Sequence, residues 1–241
     1  KFKNIMHRKG AQDKKRAKVF SRLIKELAVA ARSGIDPDSN PRLRTALVAA
    51  RAANMPKENI ERVLKRAAGD EGEVFDEIRY EGYGPGGAAL IVDAVTDNRN
   101  RTASEIRAAF SKYGGALAET GSVSFMFDKT GYILYPTCVG DPDTVFEAVF
   151  ESGANDVISS EDGHEITCYP EELNSVCEAL EARLGVPHES GLFWKPQNRV
   201  NVNESQAGSL LKLLNTLDDN DDVQNVSSNF DISEDVLAKL A

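Results

Sequence analysis

Cysteine and histidine are scarce in this chain, three of each in 241 residues. Cys138, Cys168 and Cys177 are an odd number without a close-set pair, which argues against a disulfide framework and a cysteine-built zinc site and suits a reducing compartment. No apolar run approaches the roughly 20 residues that span a bilayer. The leading residues are lysine-rich with no apolar stretch behind them, so neither a membrane anchor nor a secretory signal is expected. The expectation is a cytoplasmic protein without metal, cofactor or small-molecule substrate. Acids are missing from one place in particular, because residues 1–25 hold ten Lys+Arg and only Asp13.

What is present is sorted by sign. Residues 1–69 carry 18 Lys+Arg against 6 Asp+Glu, a net of +12, and the remainder carries 11 against 32, a net of −21, which together give the overall −9. A polyanion is drawn to one end of such a molecule and repelled by the other.

The basic end reads as three helices. Over 11–32 the apolar residues Phe20, Leu23, Ile24, Leu27 and Ala31 share one stripe, and Lys14, Lys15, Lys18, Arg22, Lys25 and Arg32 gather opposite. Ser33-Gly34 stops this helix. Asn40 as N-cap with Pro41 in the first turn opens a second through Leu43, Leu47 and Ala50. Met55-Pro56 opens a third, whose Ile60, Val63, Leu64 and Ala67 face inward. Lys3, His7, Arg8 and Lys9 extend the charge ahead of the first helix, the footprint expected of a phosphate binder. His7 has no nucleophile or metal partner and reads as a polar member of that surface.

Past residue 70 the periodicity changes to strands and helices. Residues 74–80 and 88–96 read as strands, 100–113 as a helix and 123–127 as a strand. Residues 131–196 spell βαββαβ, a complete ferredoxin-like unit. A strand at 199–202, a helix over 204–217 and a strand at 223–227 follow. The fold class is therefore α+β with three domains: a three-helix bundle over 1–70, a discontinuous α/β domain over 71–130 and 197–241, and a ferredoxin-like domain over 131–196 inserted into it.

Residues 82–87 satisfy G-x-G-x-x-G, but the glycines lead into a strand rather than a helix N-terminus, so the dinucleotide-binding context is missing. The loop reads either as a hairpin needing positive φ or as a protruding backbone that meets RNA or protein, with Tyr83 as a stacking ring. Asp218, Asp219, Asp221 and Asp222 lack the glycine and terminal glutamate of a calcium loop and read as a solvated turn. No catalytic constellation is present, and an enzyme is not expected.

Several longer stretches occur together: NIMHRK at 4–9, AQD at 11–13, NPRLR at 40–44, ANMPKENIER at 53–62, YEGYGPGG at 80–87, TDNRNRT at 96–102 and GSVSFMF at 121–127. With these the chain resembles the YebC/PmpR family, which includes the mitochondrial translational activators of cytochrome c oxidase, over essentially its whole length. Family members begin with a Met-Ala-Gly-His-Ser-like start that this sequence lacks, so no role of that tip carries over.

The resemblance implies a helical N-terminal domain with two α/β domains and a non-enzymatic role in gene expression. Two roles follow from it: a DNA-binding transcriptional regulator, or a ribosome-associated translation factor that contacts ribosomal RNA and assists synthesis of proline-rich stretches. Charge does not separate them, because phosphate neutralisation acts on both polymers. The basic arm shows few base-reading side chains at one helix N-terminus, and the acidic body disfavours lying along a duplex. Contact is then expected from the arm with the glycine loop, Arg99 and Arg101. A third class, a protein-interaction module docking on an acidic partner, differs in salt response. On the sequence alone, reversing Lys14, Lys15, Lys18 and Arg22 to Glu is expected to abolish nucleic-acid binding with helicity retained, measured by titration and circular dichroism.

Overall fold

The computed structural model describes residues 12–69, 74–233 and 236, with side chains from Ala17 onward. Helix α1 (Gln12–Ala31), α2 (Pro41–Ala52) and α3 (Lys57–Ala68) form the leading bundle. Its core joins Leu27, Ala30 and Ala31 to Leu43, Leu47, Ala50, Met55 and Ile60, the stripes that the periodicity predicts. Asn40 locks the corner between the first two helices. Its Oδ1 accepts from the Leu43 N–H, and its Nδ2 donates to the carbonyls of Ala30 and Gly34. One buried side chain thus satisfies orphan groups at both helix ends.

The body holds two four-stranded sheets. In the first, β1 (Asp76–Tyr83) and β2 (Ala89–Thr96) make an antiparallel hairpin, α4 (Arg99–Lys112) follows, and β3 (Ala116–Ala118) pairs back onto β1. The second contains β4 (Phe127–Tyr135), α5 (Pro142–Ser152), β5 (Asp156–Ser160), β6 (Gly163–Cys168), α6 (Leu173–Leu184) and β7 (Glu189–Pro196). Its order β5-β6-β4-β7, antiparallel throughout, is the ferredoxin-like arrangement. The chain then passes through β8 (Val200–Asn201) and α7 (Glu204–Asp218) to β9 (Val223–Ser228) and β10 (Phe230–Asp231). Strand β9 returns to pair with β2, closing the first sheet as β3-β1-β2-β9 across the intervening sequence.

Two strand expectations are corrected. Residues 123–127 are not a strand of the first sheet: Ser124–Met126 is a 3₁₀ turn and Phe127 opens β4 of the second. The cause is Glu81, a buried carboxylate that accepts the N–H groups of Val123 at 2.8 Å and Ser124 at 2.9 Å and so takes them from any ladder. The stretch at 199–202 shrinks to two residues, and these pair in parallel with β10 instead of joining the main sheet.

Strand β2 is the spine of the molecule. Leu90 and Val92 face α4 and α7 in the largest core, whereas Ala89 and Ile91 face Val123 and Phe127. Val95 meets Val29 of α1 through Phe75. Being covered on both sides explains its nearly continuous apolar run.

The two sheets are joined by Trp194 of β7, which donates to Asp93 at 3.2 Å and carries the Arg79 guanidinium 4.3 Å over its ring. The glycine-rich connection between β1 and β2 does not protrude. Only Gly87 in it is exposed, and a Cβ on Gly84 would lie 2.8 Å from Leu90 and 2.9 Å from Leu210.

The same crowding sets a test of the fold. A Cβ on Gly82 would stand 2.6 Å from the Ala116 carbonyl oxygen and 2.8 Å from the Phe110 ring. Gly82→Ala is expected to lower the free energy of unfolding by about 2 kcal/mol or more, read from urea titrations.

Candidate nucleic-acid interface

The cationic face of α1 has a partner within the chain. Lys18 Nζ lies 3.2 Å from Asp218 and 3.3 Å from Asp219, and Arg22 Nη2 donates to the Asp218 carboxylate at 2.9 Å and to its carbonyl at 2.7 Å. Lys25 Nζ reaches Asp222 at 2.6 Å and the Asp221 carbonyl at 2.8 Å. These three side chains are only 12 to 22% exposed. Positions 18, 22 and 25 repeat at helical spacing, so a single stripe of α1 meets the turn between α7 and β9. That turn is therefore docked rather than simply solvated. Burial pushes the Asp218 carboxyl up, but Arg22 and Lys18 outweigh it and hold it below its ordinary value.

Asp222 is the centre of this contact, with a side chain 5% exposed. Beside Lys25, it takes Arg101 Nη2 at 2.9 Å and the Thr102 hydroxyl at 2.6 Å, and the Thr96 hydroxyl lies at 3.1 Å. Its carbonyl accepts the Val95 N–H at 2.8 Å. Burial raises the carboxyl, but hydrogen bonds from Lys25, Thr102 and Arg101 overcome that cost and bring it to about 2. The residue thereby ties α1, the end of β2, the start of α4 and the α7–β9 turn at one point.

The other candidate residues are dispersed. Lys3, His7, Arg8 and Lys9 lie outside the described residues. Lys14 and Lys15 belong to the first turns of α1, and their side chains also lie outside the description. Arg32 is exposed and donates to the Phe75 carbonyl at 2.8 Å. Tyr83 is half-buried against the Ala89–Ile91–Val123–Phe127 cluster, its hydroxyl donating to the Ser122 carbonyl at 3.2 Å. Arg99 is 66% exposed and 4.0 Å from Asp76. Arg101 is shared between Asp97 and Asp222. Four of the candidates, Lys18, Arg22, Lys25 and Arg101, thus converge on one acidic segment.

Sequence reasoning passed over Arg62, Lys65 and Arg66, which are exposed on the outer face of α3 with no ion pair among the described residues. Their spacing of three and four was the available signal. It also passed over the meaning of four carboxylates in five residues, a density that calls for counter-charge somewhere in the same chain.

Burial pushes the Cys168 and Cys177 thiols up to about 11, so both are protonated near neutrality. His164 is buried in β6, its Nδ1 2.8 Å from the Ser159 hydroxyl and its Nε2 3.2 Å from the Gly140 carbonyl. The carbonyl requires the proton on Nε2, and the ring serves to tie β5, β6 and the start of α5 together. Among the described residues no group of three metal-ligating side chains occurs, and no helix is long and apolar enough to cross a membrane.

Two family models match the chain. The family model described as the TACO1/YebC protein N-terminal domain fits residues 1–70, and that described as the TACO1/YebC second and third domain fits residues 75–230. Among solved structures, the crystal structure of a conserved hypothetical protein from Aquifex aeolicus is similar, with a TM-score of 0.87 and 48% identity over 95% of each chain.

The buried Asp222 gives the interface an acid limit. Its folded value lies below the ordinary 3.8, so its stabilisation is fully present above about 4 and is lost as pH falls through about 2. Asp222→Asn is expected to cost on the order of 2 kcal/mol at neutral pH and to flatten the stability profile between those limits, measured by urea unfolding across pH.

Proposed function

The chain belongs to the TACO1/YebC family, and from that premise we propose that it is a non-enzymatic regulator of gene expression that binds nucleic acid through its N-terminal domain, in the first instance a DNA-binding transcriptional regulator. The family is regulator-like by name. The observation that carries the reading is the sorting of charge, +12 over residues 1–69 and −21 beyond. Phosphate neutralisation needs clustered lysine and arginine with few acids among them. Residues 1–16 supply this with seven Lys+Arg and one acid, and Arg62, Lys65 and Arg66 add exposed cations on α3. This reading takes 1–70 as the gripping unit, 71–130 with 197–241 as the discontinuous body, 131–196 as its insertion, and the cytoplasm as the place of action.

A second reading, a ribosome-associated factor that contacts ribosomal RNA, has an observation in its favour. With Lys18, Arg22 and Lys25 engaged by the body, the remaining cations of the leading segment and the exposed Arg62, Lys65 and Arg66 all belong to the first 70 residues of an otherwise acidic chain. Cations confined to one segment suit a recess walled by RNA better than a long duplex track.

Because Lys18 and Arg22 face Asp218 and Asp219, reversing them would also set like charges against each other across the domain contact. The appropriate variant is therefore Lys14→Glu with Lys15→Glu. It is expected to weaken binding to duplex DNA or to ribosomes by roughly tenfold or more at low ionic strength. Binding by the wild type should fall log-linearly with salt, by about 0.7–0.9 per phosphate contact. Unchanged affinity with intact helicity removes the arm from the mechanism. Crosslinking in cells, with sequencing of attached DNA and RNA, separates the two targets: recovery of ribosomal RNA without promoter DNA excludes the transcriptional reading.

A further inference from the structure

The cations of α1 do not all await a ligand. Lys18, Arg22 and Lys25 already hold anionic oxygens from Asp218, Asp219 and Asp222, at 2.6 to 3.3 Å. Point-charge lysines and an arginine fork on successive turns of one helix are the groups that take phosphate oxygens. Resting on the phosphate-binding reading above, we infer that the acidic turn from Asp218 to Asp222 occupies a phosphate-binding face of α1 in cis, so that a polyphosphate gains Lys18, Arg22 and Lys25 only by displacing it.

Three features support displacement over a permanent weld. The fit is incomplete: Arg22 Nε is buried and has no hydrogen-bond partner among the described residues. A donor left unmet by a carboxylate and a carbonyl is available to an anion with three oxygens, and a buried unmet donor is itself costly.

The outer part of the hold is also shallow, in contrast to the buried Lys25–Asp222 pair at its inner end. Asp218 is 40% and Asp219 83% exposed, and exposed pairs are weak and weaken further with salt. Among the described residues the buried apolar cluster shared by bundle and body is Val29, Phe75 and Val95 with Ala28, while Arg42–Glu77, Arg44–Glu178 and the Arg32–Phe75 bond join them away from the acidic turn. Beside the ion pairs the surfaces part into an open cleft of about 740 Å³, with Ala17, Ser21 and Ile24 on one wall and Glu105 and Asn220 on the other.

Finally, release leaves little uncompensated. When Lys25 departs, Asp222 keeps Arg101, Thr102 and Thr96, all from the body. The turn retains its shape through the Asp222–Val95 backbone bond and the Asn220 side chain, which accepts from the Asp222 N–H at 2.9 Å.

The test is fluorescence anisotropy with a labelled short duplex DNA and a labelled RNA hairpin at low ionic strength, using the full chain. D218N/D219N is expected to bind roughly three- to tenfold tighter than wild type, with D219N alone changing in the same direction by less. The control is E171Q/E172Q, which removes the same charge from exposed positions in the insertion and is expected to change affinity by less than about twofold. K18Q/R22Q is expected to bind more weakly than wild type and to cancel the gain from D218N/D219N when combined with it. Equal gains in D218N/D219N and the control, or no gain in the former while wild type binds, overturn the cis-occupancy inference and leave the phosphate-binding reading standing. Absence of binding by wild type and every variant overturns both.

Discussion

A buried carboxylate holds the two ends of this chain together. Asp222 sits where the first helix, the central strand, the helix that follows it and the last sheet-forming turn meet, and its two oxygens face Lys25, Arg101, Thr102 and Thr96. Burial would ordinarily favour the protonated acid, but the convergence of donors keeps it ionised. A buried charge with one donor would be a liability; with a cation from each side and hydroxyls beneath, it specifies how the basic bundle lies on the acidic body. Asp218 and Asp219 extend the contact outward along α1 with progressively more solvent exposure.

Around that point the architecture is organised by β2. Its two faces serve different cores, and its end reaches the leading helix through Val95. The return of β9 to its free edge is what makes the first sheet discontinuous in sequence. The inserted sheet is coupled to the first through Trp194, Arg79 and Asp93, an aromatic, cation and carboxylate set close to the spine.

For function, the arrangement divides the basic residues into those spent internally and those left outward. The internal set neutralises the body where the bundle lies on it, which lowers self-repulsion among the carboxylates of an acidic molecule. Among the described residues the outward set is Arg62, Lys65 and Arg66 of α3, all exposed. An electrostatic footprint read by counting overstates the second set, because the count is blind to the first.

The sequence by itself determined the three helices, the Asn40 cap, the βαββαβ order of the second sheet and the non-Rossmann context of the glycine loop, since helical stripes, caps and turn residues are local signals within a few positions. It also carried the polarity of charge along the chain. Only the tertiary structure decided that Lys18, Arg22 and Lys25 face Asp218–Asp222, that Glu81 converts 123–127 from a strand into a turn, and that residues 200 and 201 leave the main sheet for β10. Each of these depends on partners far apart along the chain, and a charged or apolar side chain does not announce whether water or a distant segment will satisfy it. Periodicity specifies which face a residue shares; only packing specifies what that face meets.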